Sequence, residues 1–230
     1  MKKLVLNILL LTFVIVPNSA QSFWVVNFGT ARTLHKGKFG FAAGVGGKMV
    51  FLGQPKLTSA FFTIPHVGFR YGLFENLDVG LRLAPIPLPF ASVGPSFGAN
   101  LDFKYCFTRP ESKFDFAAVA GFGGAHVLME NKNRAAYSPN FAFLGTYNLN
   151  QSLQFTMMAR YVNLEIPTAV SGASANNVNI SGVTFGIKKS LRPNISILPE
   201  IGVFNYQGGI SGVPKNGIGF QFGVMLATSF

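Results

Sequence analysis

A catalytic or metal centre in this chain of 230 residues would have to be built around three histidines, His35, His66 and His126, and a single cysteine, Cys106. Nucleophilic catalysis needs a serine or cysteine within hydrogen-bond reach of its base. Beside His126 stand Val127, Leu128 and Met129, and no serine follows until Ser138. A metal centre needs ligands at short, repeated spacings, and well-separated histidines with one cysteine do not supply them. Gly44, Gly46 and Gly47 sit within a strand-like run, whereas a phosphate cradle needs its glycines where a strand turns into a helix. The residues therefore predict no catalytic centre, no metal and no cofactor. Cys106 has no internal disulfide partner and is expected to fill a strand position.

The remaining chemistry lies in nine charged residues that share one property. Arg70, Asp78, Arg82, Asp102, Lys104, Asp115, Arg160, Lys188 and Glu200 each occupy the polar parity of a segment whose other parity is apolar or aromatic. Successive side chains of a strand point to opposite faces, so this pattern requires strands to position them. Val67, Phe69 and Tyr71 oppose Arg70; Leu77, Val79, Leu81 and Leu83 oppose Asp78 and Arg82; and Leu101, Phe103 and Tyr105 oppose Asp102 and Lys104. The same alternation sets Phe114, Phe116 and Phe122 against Asp115, and Phe155, Met157 and Tyr161 against Arg160.

Ten such segments run through the chain: Lys38 to Val50, Thr63 to Tyr71, Leu77 to Ala84, Ser96 to Phe107, Phe114 to Gly124, Asn140 to Leu149, Leu153 to Leu164, Val178 to Lys188, Ile195 to Phe204 and Gly217 to Phe230. Most have the ~9 to 11 residues of a tilted transmembrane strand. Short turns rich in Gly, Pro, Asn and Ser follow the even-numbered segments, and longer loops follow the odd-numbered ones. The predicted fold is all-β: a transmembrane, antiparallel, up-and-down barrel of ten strands. Eight strands would require demoting the hairpin Thr63 to Ala84, which contains Pro65.

Residues 1–20 read as a signal peptide: Lys2 and Lys3, an apolar stretch from Leu4 to Val16, and a small-residue exit at Ala20. That stretch is shorter than the ~20 residues a membrane helix needs. Residues 21–37 form a lead-in on the periplasmic side and residues 38–230 the barrel domain. In the lead-in, Trp24 with Phe23 and Phe28 could anchor at the membrane interface, or the segment could tuck beneath the lumen. Without Lys2 and Lys3, 17 basic residues stand against 8 acidic ones, a formal charge of +9. Export makes nucleic acid an unexpected partner. Charged residues are only 12% of the chain, about half the ~25% of soluble domains, too few to cover a water-facing shell.

The closing segment GIGFQFGVMLATSF places Ile218, Phe220, Phe222, Val224 and Leu226 on one parity and ends on Phe230. In this it resembles bacterial outer-membrane β-barrels, whose last strand ends in an aromatic residue read by the barrel-assembly machinery. The resemblance covers topology and termini, not a catalytic motif. It implies Gram-negative outer-membrane localisation after Sec export, outer-membrane lipid and the assembly machinery as partners, and an assembly signal comprising Phe220, Phe222, Val224, Leu226 and Phe230.

Two other readings were open to the residues. A soluble lipocalin-like binding barrel would turn its apolar face inward and need a polar exterior, but the second parity is mostly Gly, Ala, Ser and Thr. An outer-membrane enzyme is the other. A protease of the omptin kind would need paired acids and a histidine-acid pair at the outer rim, where only Glu130 and Glu165 are expected. A lipid-modifying enzyme would want a serine near His126. The expectation is a non-enzymatic barrel, either structural and loop-presenting or a narrow channel or transporter for small or apolar solutes. Its nine inward charges, five positive and four negative, either pair to fill the lumen or line a hydrated pore with weak anion preference.

Overall fold

The computed structural model describes residues 29–52, 57–86, 96–109, 111–129, 132–166, 176–210, 213–214 and 216–229. Residues 1–28, which include the signal-peptide region and Phe23, Trp24 and Phe28, lie outside them, as do Glu130 and Phe230. The strands are β1 (Phe39–Leu52), β2 (Leu57–Phe74), β3 (Leu77–Ile86), β4 (Ser96–Cys106), β5 (Phe114–Met129), β6 (Lys132–Asn150), β7 (Leu153–Ile166), β8 (Asn176–Arg192), β9 (Ile195–Ile210), β10 (Val213–Pro214) and β11 (Gly217–Ser229). Each long strand pairs antiparallel with its neighbours, β11 pairs with both β9 and β1, and β8 pairs with β9. Ten strands thus close into a ring, and the two-residue β10 only extends the end of β9. Closure removes the exposed edges that an open sheet would present.

The hairpin containing Pro65 belongs to the wall. Between Gly44 and Gly46 the β1–β2 register shifts, with His66 opposite the first and Thr63 opposite the second. A proline cannot donate to the ladder, and a bulge is where a strand accommodates one. At the other end of the hairpin the chain reverses through Glu75 and Asn76. The β6–β7 turn is closed by the Asn150 side chain, whose Oδ1 accepts hydrogen bonds from the Ser152 backbone N–H at 2.9 Å and from its hydroxyl at 3.0 Å.

Several strands run further toward the loop end than the sequence pattern indicates. Leu57 to Phe62, read as part of an apolar loop, pairs with β1 from Leu52 back to Gly47. The long connection expected after the fifth strand is instead a hairpin in which Met129 pairs with Lys132. Glu165, assigned to a loop, lies in β7 opposite Asn177 and Tyr137. The physical reason is that lipid-facing alternation marks only the part of a strand inside hydrocarbon. Backbone hydrogen bonds continue the wall beyond it without that pattern. Most of the long loops expected after the third and seventh segments, 87–95 and 167–175, lies outside the described residues.

Around the middle of the barrel the aromatic parity faces out. Phe103, Phe141, Phe143, Phe185, Ile201, Phe220 and Leu226 are all exposed. Inside, glycines and small residues give the room a narrow ring needs. At Gly80 a Cβ would run into the Arg70 guanidinium and lie 3.0 Å from the Asp102 carboxylate, so a larger residue there would have to displace that pair.

On β7, β8 and β9 the polarity of the two faces reverses toward the loop end. Above Tyr161 the outward positions are Asn163, Glu165, Asn177, Asn179, Asn205 and Gln207. Asn163 Nδ2 donates to Asn177 Oδ1 at 3.1 Å and to Asn179 Oδ1 at 2.7 Å, and the Tyr161 hydroxyl donates to the same Asn179 oxygen at 2.7 Å. On the inside, Val162, Leu164, Ile166, Val178, Ile180, Phe204 and Tyr206 are buried. The single-parity rule inferred from sequence therefore holds for the lower barrel and fails here. An outer face of hydrogen-bonded amides suits water, and an apolar inner face is what a barrel projecting into water would bury.

Candidate functional site: the lumen and its plug

Nine charged residues point into the barrel. Asp78, Arg82, Asp102, Lys104, Asp115, Arg160 and Glu200 are buried, and Arg70 and Lys188 partly so. They come from strands all round the ring, and the register decides which of them meet. Gly80 faces both Arg70 and Asp102 across the β2–β3 and β3–β4 ladders, while Asp78 faces Lys104 and Gly72. Arg70 consequently bridges two carboxylates, donating through Nη1 to Asp78 and through Nη2 to Asp102. Arg82 Nη2 donates to the other Asp102 oxygen at 3.2 Å, and Lys104 Nζ stands 3.6 Å from Asp78. Asp102 and Asp78 are fully buried, so their charges require these partners. Toward the loop end the cluster continues as amides: Asn140 Nδ2 donates to Asn100 Oδ1 at 2.7 Å, beside Asp102.

Arg160 on β7 and Glu200 on β9 are buried on the part of the ring across the lumen from this cluster. Gln221 Nε2 on β11 approaches Glu200 Oε1 at 3.5 Å. Lys188 on β8 stands apart: among the described residues it makes no hydrogen bond or ion pair.

The lead-in is the part of the site that sequence reasoning left open. Residues 29–37 enter the lumen from the turn end and are held there mainly by the inward charges. Lys104 Nζ donates to the carbonyls of Thr30 at 3.0 Å and Arg32 at 2.8 Å. The Leu34 N–H donates to Asp78 Oδ2 at 3.0 Å, and the Ala31 N–H to Thr146 Oγ1 at 2.9 Å. Ala31 is fully buried against Cys106, Ala117, Val119, Ala142, Leu144 and Met158. Cys106 is thus a packing residue of this inner apolar strip.

Arg32 becomes a tenth lumenal charge. Its Nε and Nη2 form a two-pronged contact with the Asp115 carboxylate at 3.2 and 3.1 Å, the geometry that suits guanidinium to carboxylate. Asp115 also accepts from Asn148 Nδ2 at 2.7 Å and Thr108 Oγ1 at 3.1 Å. Gly37, with φ of 79°, turns the chain into β1, and its N–H donates to the Gly72 carbonyl at 2.8 Å. Gly72 must be glycine for this approach, because a Cβ there would collide with the His35 and Leu34 carbonyls. No local pattern in residues 29–37 marks Arg32 as inward. The segment has no strand alternation, and its contacts are made to partners as distant in sequence as Asp115 and Thr146.

The histidines are dispersed. His35 is exposed at the turn end and pairs with Glu75 at 2.9 Å, His66 is buried on the inner face of β2, and His126 is exposed on the outer face of β5. Among the described residues no three His, Cys, Asp or Glu side chains gather as metal ligands.

A closed, antiparallel, ten-stranded ring with an aromatic exterior and a polar, small-residue lower lumen is the fold of a bacterial outer-membrane β-barrel. Solved structures agree. The chain superimposes on an outer-membrane channel from Pseudomonas putida F1 with a TM-score of 0.53 at 11% identity, covering 89% of this chain and 100% of that one. Lower-scoring matches include the outer membrane protease OmpT of Escherichia coli, with a TM-score of 0.47 at 11% identity over 84% of this chain and 95% of the other. The translocator domain of the autotransporter NalP from Neisseria meningitidis matches with a TM-score of 0.46 at 10% identity, over 84% of this chain and 88% of that domain. These likenesses are of fold. No protein-family model and no curated protein sequence matches the chain.

Proposed function

We propose that this protein is an integral barrel of a Gram-negative outer membrane, without catalytic activity, whose lumen is closed at rest and which serves as a structural, loop-presenting barrel. The observation that carries this reading is the plug. Residues 29–37 cross the turn end of the lumen, bound to Lys104, Asp78, Asp115 and Thr146, so a solute would have to break several buried, charge-assisted contacts to pass. The buried apolar side chains inside β7, β8 and β9 fill that side of the opposite end.

Membrane placement rests on the exposed aromatic belt, which would be costly in water but is what lipid favours. In this orientation the short turns and both termini are periplasmic, and the extended loop end faces outward. Lipid surrounds the belt, and the assembly machinery reads the closing strand through Phe220, Phe222, Val224, Leu226 and Phe230. The non-catalytic reading rests on the three histidines, which occupy the turn end, the lumen and the outer face and so share no site.

A narrow transporter for small or apolar solutes is the second reading, and the apolar inner face from Val162 to Tyr206 favours it. Planar-bilayer recordings separate the two. The closed barrel shows no steady single-channel current. A stable unitary conductance of the parent protein would overturn it and make the transport reading the leading one.

A further inference from the structure

At the turn end a cavity of about 450 Å³ opens between the plug, the β8–β9 turn and the walls of β1 and β2. Its lining is one-signed. Arg32, Lys38, Arg70, Arg82, Lys104 and Lys188 all contribute to it, and among the described residues no aspartate or glutamate does. The carboxylates that neutralise this end, Asp78, Asp102 and Asp115, are fully buried behind the basic side chains. Among the described residues of the turn-side lumen, and leaving out the exposed Lys38, the cations Arg32, Arg70, Arg82, Lys104 and Lys188 stand against those three acids, five minus three, a surplus of two positive charges. The sequence parity alone suggested a surplus of one over the whole lumen; Arg32, brought in by the plug, raises it.

The surplus is located. Arg70 and Arg82 are engaged with Asp102, Lys104 with two plug carbonyls and Asp78, and Arg32 with Asp115. Lys188 has no such partner among the described residues and lines the same cavity as Arg32 and Lys104. An ammonium with three unused donors, half-buried in a cavity that it shares with other cations, costs free energy unless an anion joins it. Arg32 keeps part of its guanidinium toward the cavity, its side chain being 39% exposed. Ser190, Asn194 and Ser196 add neutral polar groups to the same wall.

We propose that this cavity is a binding site for a small multivalent oxyanion of the phosphate or carboxylate class, seated on Lys188 and the free edge of Arg32. Two negative charges would match the surplus of two. The same phosphate chemistry could arrive as a free anion from the periplasm or as the headgroup of an anionic lipid. The site stands independently of whether the lumen conducts.

The test uses the full mature chain, folded and verified by heat-modifiable mobility, as parent, K188Q and K189Q; Lys189 is the outward neighbour and serves as control. Isothermal titration with inorganic phosphate in non-ionic detergent should show saturable binding by the parent. Affinity should fall about tenfold or more in K188Q and be unchanged in K189Q, as expected for loss of one charge-assisted contact. If phosphate gives no heat but phosphatidylglycerol co-purifies with the parent and not with K188Q, the site is supported with a lipid source. If neither anion is retained by the parent, or if K188Q retains it as well as the parent does, the proposal fails.

Discussion

Asp102 is the side chain on which the inner network depends most, and Asp102→Asn removes its charge with almost no change of shape. The carboxylate is fully buried and accepts from Arg70 and Arg82. After the substitution Arg70 still holds Asp78, while Arg82 loses its ion pair with Asp102 and the turn-side surplus rises from two to three. Each charge-assisted hydrogen bond contributes about 1.5–3 kcal/mol, so losing two points to about 3–6 kcal/mol, which spans the roughly 3–5 kcal/mol found when one member of a buried ion pair is removed. The measurement is a urea titration in lipid vesicles, with folded fraction read from heat-modifiable gel mobility. Two comparisons sharpen it. Asp115→Asn, whose partner Arg32 is partly in water, should cost only about 1–2 kcal/mol. Adding Arg82→Gln to Asp102→Asn should recover about 1–3 kcal/mol, because the turn-side surplus falls back from three to two. A loss below about 1 kcal/mol for Asp102→Asn, or no recovery in the double variant, would refute the view that paired charges hold the lumen together.

The reversal of face polarity gives a test within one strand. Ile201 and Asn205 share the outer face of β9 about 13 Å apart, so Ile201→Arg should destabilise the barrel in vesicles by about 2–4 kcal/mol and Asn205→Arg by less than about 1 kcal/mol. Equal costs would place both in the same environment and remove the proposed membrane boundary at Tyr161. Gly72→Val should expel the plug, because its side chain would meet the His35 and Leu34 carbonyls; trypsin should then cleave after Arg32 in the folded barrel, and protection equal to the parent's would count against the plug. Phe230→Asp should lower the yield of folded protein in outer-membrane fractions, and an unchanged yield would show that the closing aromatic is not read during assembly.

Much of this protein is written in its sequence because a membrane barrel is a repetitive object. Alternation of Phe103 and Tyr105 with Asp102 and Lys104 is a strand with two unlike faces, and repeating it through segments joined by short and long connections leaves a closed ring as the consistent arrangement. The same parity puts the charges from Arg70 to Glu200 on one face, since hydrocarbon does not tolerate them on the other. These features follow from local periodicity and one-sided solvation, and both survive without knowledge of any long-range contact.

Other features depend on which residues the closed ring brings together. Strand register, not composition, sets Arg70 between Asp78 and Asp102 and places Lys188 in a cavity lined by other cations. Residues 29–37 carry no periodicity to read, and Arg32 is lumenal only because Gly72 admits the segment and Asp115, far along the chain, receives it. The loop-end strands were missed for a related reason. Where the wall leaves lipid, Asn163, Asn179 and Asn205 can face outward while Leu164, Ile180 and Phe204 turn inward, so the parity that marks a lipid-facing strand changes sign. Local alternation sets which residues lie in a strand and on which of its two faces; the solvent each face meets, and the partner each charge finds, are properties of the assembled barrel.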